Sequence, residues 1–199
     1  MRVFVAGATG VLGSRIVPLL VAAGHTVAGM TRSASKSDLL RSLGAEPVVC
    51  DAYDRDGVVQ AVTAFAPDLV LHELTDLPDT VEELPANRDA NARMRLAGTD
   101  NLIEAAGSSG CRRFVAQSVA WAVLPGKGAD AVAHLENATL AFGGVVLRYG
   151  QFYGPGTFYP DVLPDEPRVH VDTAARLTVA ALDAPSGVIT VVDDEATSG

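Results

Sequence analysis

The 199-residue sequence predicts an α/β fold, a doubly wound parallel sheet, and three observations carry that reading. Short β-branched runs recur down the chain and are almost wholly apolar rather than alternating, as in strands buried on both faces. Longer segments of helical apolar spacing separate them, and repeated strand-helix-strand units require parallel strands with right-handed crossovers. The third is the glycine-spaced loop Gly7-Ala8-Thr9-Gly10-Val11-Leu12-Gly13, set between the first apolar run and the first helical pattern. Together these describe a Rossmann domain.

In chain order, the expected strands are Val3–Val5, Thr26–Ala28, Val48–Val49, Leu69–Leu71, Phe114–Ala116, Val145–Leu147 and Val188–Val192. The first helix follows the glycine loop through Val11, Leu12, Ile16, Leu19 and Leu20; Pro18 falls inside it and predicts a kink, not an end. Leu39, Leu40 and Leu43 stop at Gly44, a C-cap glycine. Val58, Val59, Val62 and Phe65 precede Pro67, and Leu102, Ile103 and Ala106 precede Gly107, read as another C-cap. The last helix is expected over Thr173–Leu182 with Asp172 as its N-cap. The stretch from Gly154 to Pro167 holds four prolines and reads as a semi-rigid loop.

Length and composition suit one domain spanning 1–199, since a chain this size buries roughly 70% of its unfolded surface. Hydrophobic residues make up 48% and charged residues 20%, without linker, repeat or charge block. A net charge of −9 argues against binding a phosphate backbone, so neither nucleic acid nor an anionic membrane is an expected partner. Cys50 and Cys111 are too few for a disulfide scaffold and read as reduced thiols. No apolar stretch fits a signal peptide or a membrane span, and the expectation is a cytoplasmic protein. His72-Glu73 and His170-Val171-Asp172 make no recognisable ligand set, so no metal is expected.

The glycine loop carries the functional argument. Gly7, Gly10 and Gly13 permit a tight turn and close approach of Ala8, Thr9, Val11 and Leu12 backbone N–H groups to a pyrophosphate, at a helix N-terminus that favours negative charge. At the end of the second strand an acidic residue would receive the ribose hydroxyls of NAD; this chain has Arg32 and Ser33 there. A guanidinium and a hydroxyl at that place suit the 2′-phosphate of NADP, so NADPH is the expected cofactor.

Several segments resemble the extended or atypical short-chain dehydrogenase/reductase family, the NAD-dependent epimerase/dehydratase-like group. They are the glycine loop, Cys50–Asp54, Gly98–Ile103, Phe114–Ser118 and Leu147–Gly156. The resemblance runs from Met1 to about Val192. It implies Asp51 and Ala52 near the adenine, Leu74 beside the cofactor, and Ser118 as the catalytic serine on a substrate oxygen. Trp121, Tyr149, Gln151 and Tyr153 are the candidate substrate contacts.

The family's Tyr-x-x-x-Lys pair is missing. Glu136 resembles the family's glutamate four residues beyond that lysine, and counting back puts Val132 at the lysine and Gly128 at the tyrosine position. Neither transfers a proton, and no Tyr-x-x-x-Lys occurs anywhere in the chain. Lys127, Asp130, His134, Tyr149 and Tyr153 are the candidate substitutes.

Residues 152–199 form a reduced substrate-side segment where extended members carry a lobe, and the tail from Asp193 to Gly199 resembles the start of a family segment that normally continues. So open a cleft admits a large small-molecule substrate, closure by a second subunit in a homodimer, or a non-catalytic role. The expected activity is an NADPH-dependent oxidoreductase, or a related epimerase or dehydratase, acting on a carbonyl or hydroxyl of a small metabolite. The alternatives are a non-catalytic NADP-binding regulator and a non-redox isomerase or cyclase.

Overall fold

A computed structural model describes residues 1–78 and 80–193. Seven strands form one parallel sheet: β1 (Arg2–Ala6), β2 (Thr26–Thr31), β3 (Glu46–Val49), β4 (Leu69–His72), β5 (Arg113–Val119), β6 (Val145–Tyr149) and, last in the sheet, β9 (Gly187–Val191). The spatial order is β3-β2-β1-β4-β5-β6-β9. Chain direction across the sheet reverses between β1 and β4, and the crevice beyond their carboxyl ends is where such sheets bind ligands. A separate two-stranded parallel ribbon, β7 (Gln151–Tyr153) with β8 (Arg168–His170), frames the proline-rich loop. Sequence periodicity gave no sign of it, because three-residue strands have no period to detect.

Helices cover both faces. On one face α1 (Gly13–Ala22), α2 (Ser37–Ser42) and α7 (Val171–Ala180) bury Ile16, Leu20, Leu40 and Ala174 against Val3, Val5, Leu71 and Leu147. On the other, α3 (Arg55–Phe65), α5 (Thr99–Ser109) and α6 (Lys127–Ala141) bury Val58, Val62, Leu102 and Leu135 against Phe4, Val70 and Phe114. A short α4 (Arg88–Arg93) and a π-helical turn, Met94–Gly98, lead into α5.

Local chemistry sets the element ends. Asp54 caps α3 by accepting the Gly57 N–H at 3.1 Å, and α3 closes at Ala66 in the left-handed region, φ 50°, immediately before Pro67. Two expected ends move. Gly107 lies inside α5, and the left-handed residue that closes the helix is Gly110, φ 75°. Asp172 does not cap α7: His170 does, its Nδ1 accepting the Asp172 N–H at 3.2 Å. Asp172 sits in the first turn, where a carboxylate suits the helix dipole, and pairs with Arg15 Nε at 2.8 Å. Helix α1 continues through Pro18 to Ala22.

No helix among the described residues is long and apolar enough to cross a membrane. Asp194 to Gly199, most of the tail singled out from the sequence, lie outside the described residues.

Candidate functional site

The loop after β1 is built around positions that tolerate no side chain. Gly7 has φ 91°, and a Cβ there would stand 2.6 Å from the Glu73 carbonyl oxygen across the crevice. A Cβ on Gly13 would collide with the Gly7 carbonyl. The Gly10 N–H closes the turn on Gly7 O at 3.0 Å. Ala8 and Leu12 are buried and anchor the loop below, while Val11 stays exposed. Thr9 Oγ1 lies 3.3 Å from Thr31 Oγ1, tying the loop to the end of β2. No side chain caps α1, so its N-terminus offers N–H groups and partial positive charge to an anion. These residues fit a dinucleotide pyrophosphate. Arg15, which the motif reading passed over, holds the loop: Nη1 donates to Val11 O at 2.7 Å, Nε pairs with Asp172, and Nη2 donates to Pro155 O.

Of the residues expected at the nucleoside end, two share a groove and three, Ser33, Ala52 and Leu74, do not line it. Arg32 and Asp51 line one groove of about 520 Å³ with Val49, Cys50, Asp54 and Gly57. Arg32 is 67% exposed and its Nη1 lies 3.3 Å from Asp76 Oδ1, a partner the motif did not indicate. Ser33 turns toward Ser35, with Oγ atoms 2.8 Å apart. Asp51 Oδ1 accepts the Tyr53 N–H at 3.0 Å. Ala52 is buried, its carbonyl held by Asn101 Nδ2 at 2.8 Å. Leu74 is half-buried, and its N–H donates to His72 Nδ1 at 3.2 Å. Burial, reinforced by Asp54 and Asp51, pushes the Cys50 thiol up, so it is a poor nucleophile.

The end of β5 departs from expectation. Ser118 is 2% exposed, and its Oγ donates to Glu136 Oε1 at 2.6 Å. It shares the parity of Phe114 and Ala116, which face α5 and α6. Arg148 on β6 completes the cluster, and its hydrogen bonds hold the Glu136 carboxyl below the usual carboxylate range. Ser118 thus seats α6 on the sheet.

Three of the four substrate candidates are committed elsewhere. Tyr149 is 1% exposed in the α1–α7 layer with its hydroxyl on Thr178 Oγ1 at 2.6 Å, so it is a core residue. Gln151 Nε2 donates to Asp165 O at 2.8 Å and Tyr153 OH to Asp193 Oδ2 at 2.7 Å, both bracing the substrate-side loop. Trp121 alone is free, 40% exposed beyond β5. Among the substitute acids and bases, Lys127 pairs with Asp89 at 3.2 Å and His134 with Asp100 at 2.7 Å. Gly128 and Val132 are half-exposed on the first half of α6.

His72 and Glu73 diverge. His72 accepts from Leu74 N–H at Nδ1, so its Nε2 carries the proton toward Thr99 Oγ1 at 3.0 Å; burial lowers its pKa to about 4 and the ring is neutral. Glu73 is enclosed beside the Tyr149 hydroxyl, which bonds Thr178 and opposes the effect of burial only in small part, and neither carboxyl oxygen has a well-formed hydrogen bond. Burial raises its pKa to about 8, so it is uncharged at neutral pH. Among the described residues no three metal-ligating side chains converge.

Comparison with known proteins agrees with this fold. A Streptomyces 3-diazoavenalumate denitrifying reductase is 38% identical over 98% of this chain and 77% of its own length. That alignment runs 237 positions, more than this chain possesses, so the relative carries residues absent here. A Dictyostelium discoideum sterol-4-alpha-carboxylate 3-dehydrogenase, decarboxylating, is 32% identical over 42% of this chain and 26% of its own. In fold, UDP-glucose 4-epimerase of Thermus thermophilus, solved with NAD, superposes with a TM-score of 0.80 over 98% of this chain and 78% of that one, at 24% identity. Bordetella bronchiseptica WbmH, solved with NAD+, gives 0.75 over 96% and 75%, at 22% identity. The model of the NAD dependent epimerase/dehydratase family matches residues 3–129, and the chain belongs to that family.

Proposed function

We propose that the protein is an NADPH-dependent reductase acting on a small electrophile whose reduced product takes no proton from the protein. The observation that carries this reading is the pair Gly128 and Val132. They stand on a helix seated through Glu136, and counting back from that glutamate assigns them the positions of the family's tyrosine and lysine. Bound in the Gly7–Gly13 cradle, the reduced dinucleotide would supply hydride; Arg32 would meet its 2′-phosphate.

Epimerisation and dehydration begin with removal of a substrate proton, which needs a positioned base; Gly128 and Val132 supply none. Carbonyl reduction leaves an alkoxide whose proton must then come from water. An arenediazonium ion needs no proton at all. It accepts hydride at carbon, the carbon–nitrogen bond breaks with its electron pair departing on dinitrogen, and the arene remains. The relative at 38% identity is by name a reductase of a diazo compound, which supports that acceptor class over a carbonyl or hydroxyl.

The test begins with calorimetric titration of NADPH and then NADH, followed by loss of reduced-nicotinamide absorbance with benzenediazonium or benzaldehyde, against protein-free controls. NADPH-selective binding with diazonium-dependent consumption is expected. Turnover of the aldehyde alone would return the acceptor to a carbonyl. Binding without any turnover would favour the regulator, and no binding would overturn the reading.

A further inference from the structure

Arg95 occupies the π-helical turn Met94–Gly98, a local widening that recurs at functional sites. It lies one turn ahead of Thr99 on the same helix face. Thr99 sits on His72, the last residue of β4, so Arg95 stands beyond the strand's carboxyl end, over the crevice. Glu136 sits on Ser118 of β5 in the same manner, which places Val132, one turn earlier on α6, at a comparable height. The π turn packs against α6, the helix that carries Val132, and the Arg95 charge reaches His72 at the end of β4.

This cation has no counter-charge. Arg95 is half-buried, and among the described residues no carboxylate or carbonyl takes its guanidinium; burial alone acts on it. The nearest acids along these helices are spent elsewhere, Asp89 on Lys127 and Asp100 on His134, while Arg93 lies over the Tyr53 ring at 4.0 Å. An unpaired, half-desolvated cation is costly, and this chain holds 24 acidic residues against 15 basic ones. Leu96, next to it in the chain, is 40% exposed, and the segment that leads from β5 to α6 exposes Trp121 (40%) and Leu124 (83%), so the apolar residues at this end of the sheet form a rim.

We infer that Arg95 is the anion-binding residue of the crevice, and that the substrate carries a carboxylate on an aromatic or apolar body. The planar guanidinium accepts a carboxylate through two parallel hydrogen bonds, and the rim covers the remainder. The inference rests on the reading of the crevice as a dinucleotide-dependent substrate site.

The probe is benzoate, with benzamide as its neutral counterpart, titrated into NADP+-saturated protein and followed by fluorescence of Trp121, the single tryptophan. Wild type should bind benzoate roughly tenfold or more tighter than benzamide. Arg95→Ala should lose that preference while keeping its NADP+ affinity, and Arg95→Lys should fall between, keeping charge without the fork. Equal benzoate affinity in Arg95→Ala, or no benzoate binding to NADP+-loaded wild type, overturns the inference. Loss of NADP+ affinity in both variants overturns it too, by assigning the guanidinium to the cofactor. Failure of wild type to bind NADP+ brings down the functional reading beneath it instead.

Discussion

Arg148 grips both carboxylate oxygens of Glu136, Nε on Oε1 at 2.8 Å and Nη2 on Oε2 at 2.5 Å, joining β6 to α6 through a fork-on-fork pair. Ser118 adds a third donor from β5. The cluster therefore fixes α6 against β5 and β6.

Removing the carboxylate charge should show in stability first. Glu136→Gln leaves Arg148 without its anion, and a charge-assisted pair at this partly exposed site is worth about 1–2 kcal/mol. Glu136 has a lowered folded pKa, so its contribution is present above the unfolded carboxyl pKa and fades as pH falls through the folded value. Urea midpoints of wild type and Glu136→Gln should differ at pH 7 and converge toward pH 3. A gap unchanged at low pH would mean that the pair's charge is not what stabilises the wall.

Glu73 has the opposite sign. Its folded pKa of about 8 stands above the ordinary 4.5, so the folded state holds a proton the unfolded state has lost. Stability should decline by roughly 1.4 kcal/mol per pH unit across that window and level off above the folded pKa. Glu73→Leu should abolish the slope and exceed wild type at pH 9 in urea unfolding. A parallel pH profile in the variant would show that Glu73 is solvated and charged.

The Gly7–Gly13 loop should be intolerant of added side chains for a geometric reason. Gly7→Ala would hold a left-handed backbone, costing about 1–2 kcal/mol, and would also drive its methyl against the Glu73 carbonyl. Folding should survive at lower Tm, while calorimetry should detect no NADPH. Wild-type affinity in Gly7→Ala would mean that the loop is not the cradle.

What the sequence conveyed, and what it withheld, follows from range. Runs such as Val3–Val5 and Leu69–Leu71 are apolar on both faces, so all seven sheet strands were legible. The glycine loop was too, because its backbone demands are local. Ser118 was placed on the right strand end but assigned to the cleft; period-2 parity with Phe114 and Ala116 turns it to α6. Gly107 looked like a helix stop, yet nothing local distinguishes it from Gly110 three residues later. Arg15, Glu73 and Arg95 owe their roles to partners distant in the chain, or to having none, and no spacing encodes that.

Cofactor choice yields the remaining prediction. Arg32 is held at 3.3 Å from Asp76 Oδ1, a carboxylate that also lies 3.4 Å from the Tyr53 hydroxyl. A 2′-phosphate must draw the guanidinium from that carboxylate and accept the carboxylate's repulsion, whereas a 2′-hydroxyl meets neither cost. Arg32→Ala should therefore weaken NADPH by roughly 10-fold or more with little change for NADH. Asp76→Asn should move the other way, tightening NADPH several-fold, about 1 kcal/mol, again with NADH nearly unmoved. Calorimetric titration of both nucleotides into both variants decides it: if each substitution shifts NADPH and NADH equally, Arg32 does not read the phosphate and the preference for NADPH falls.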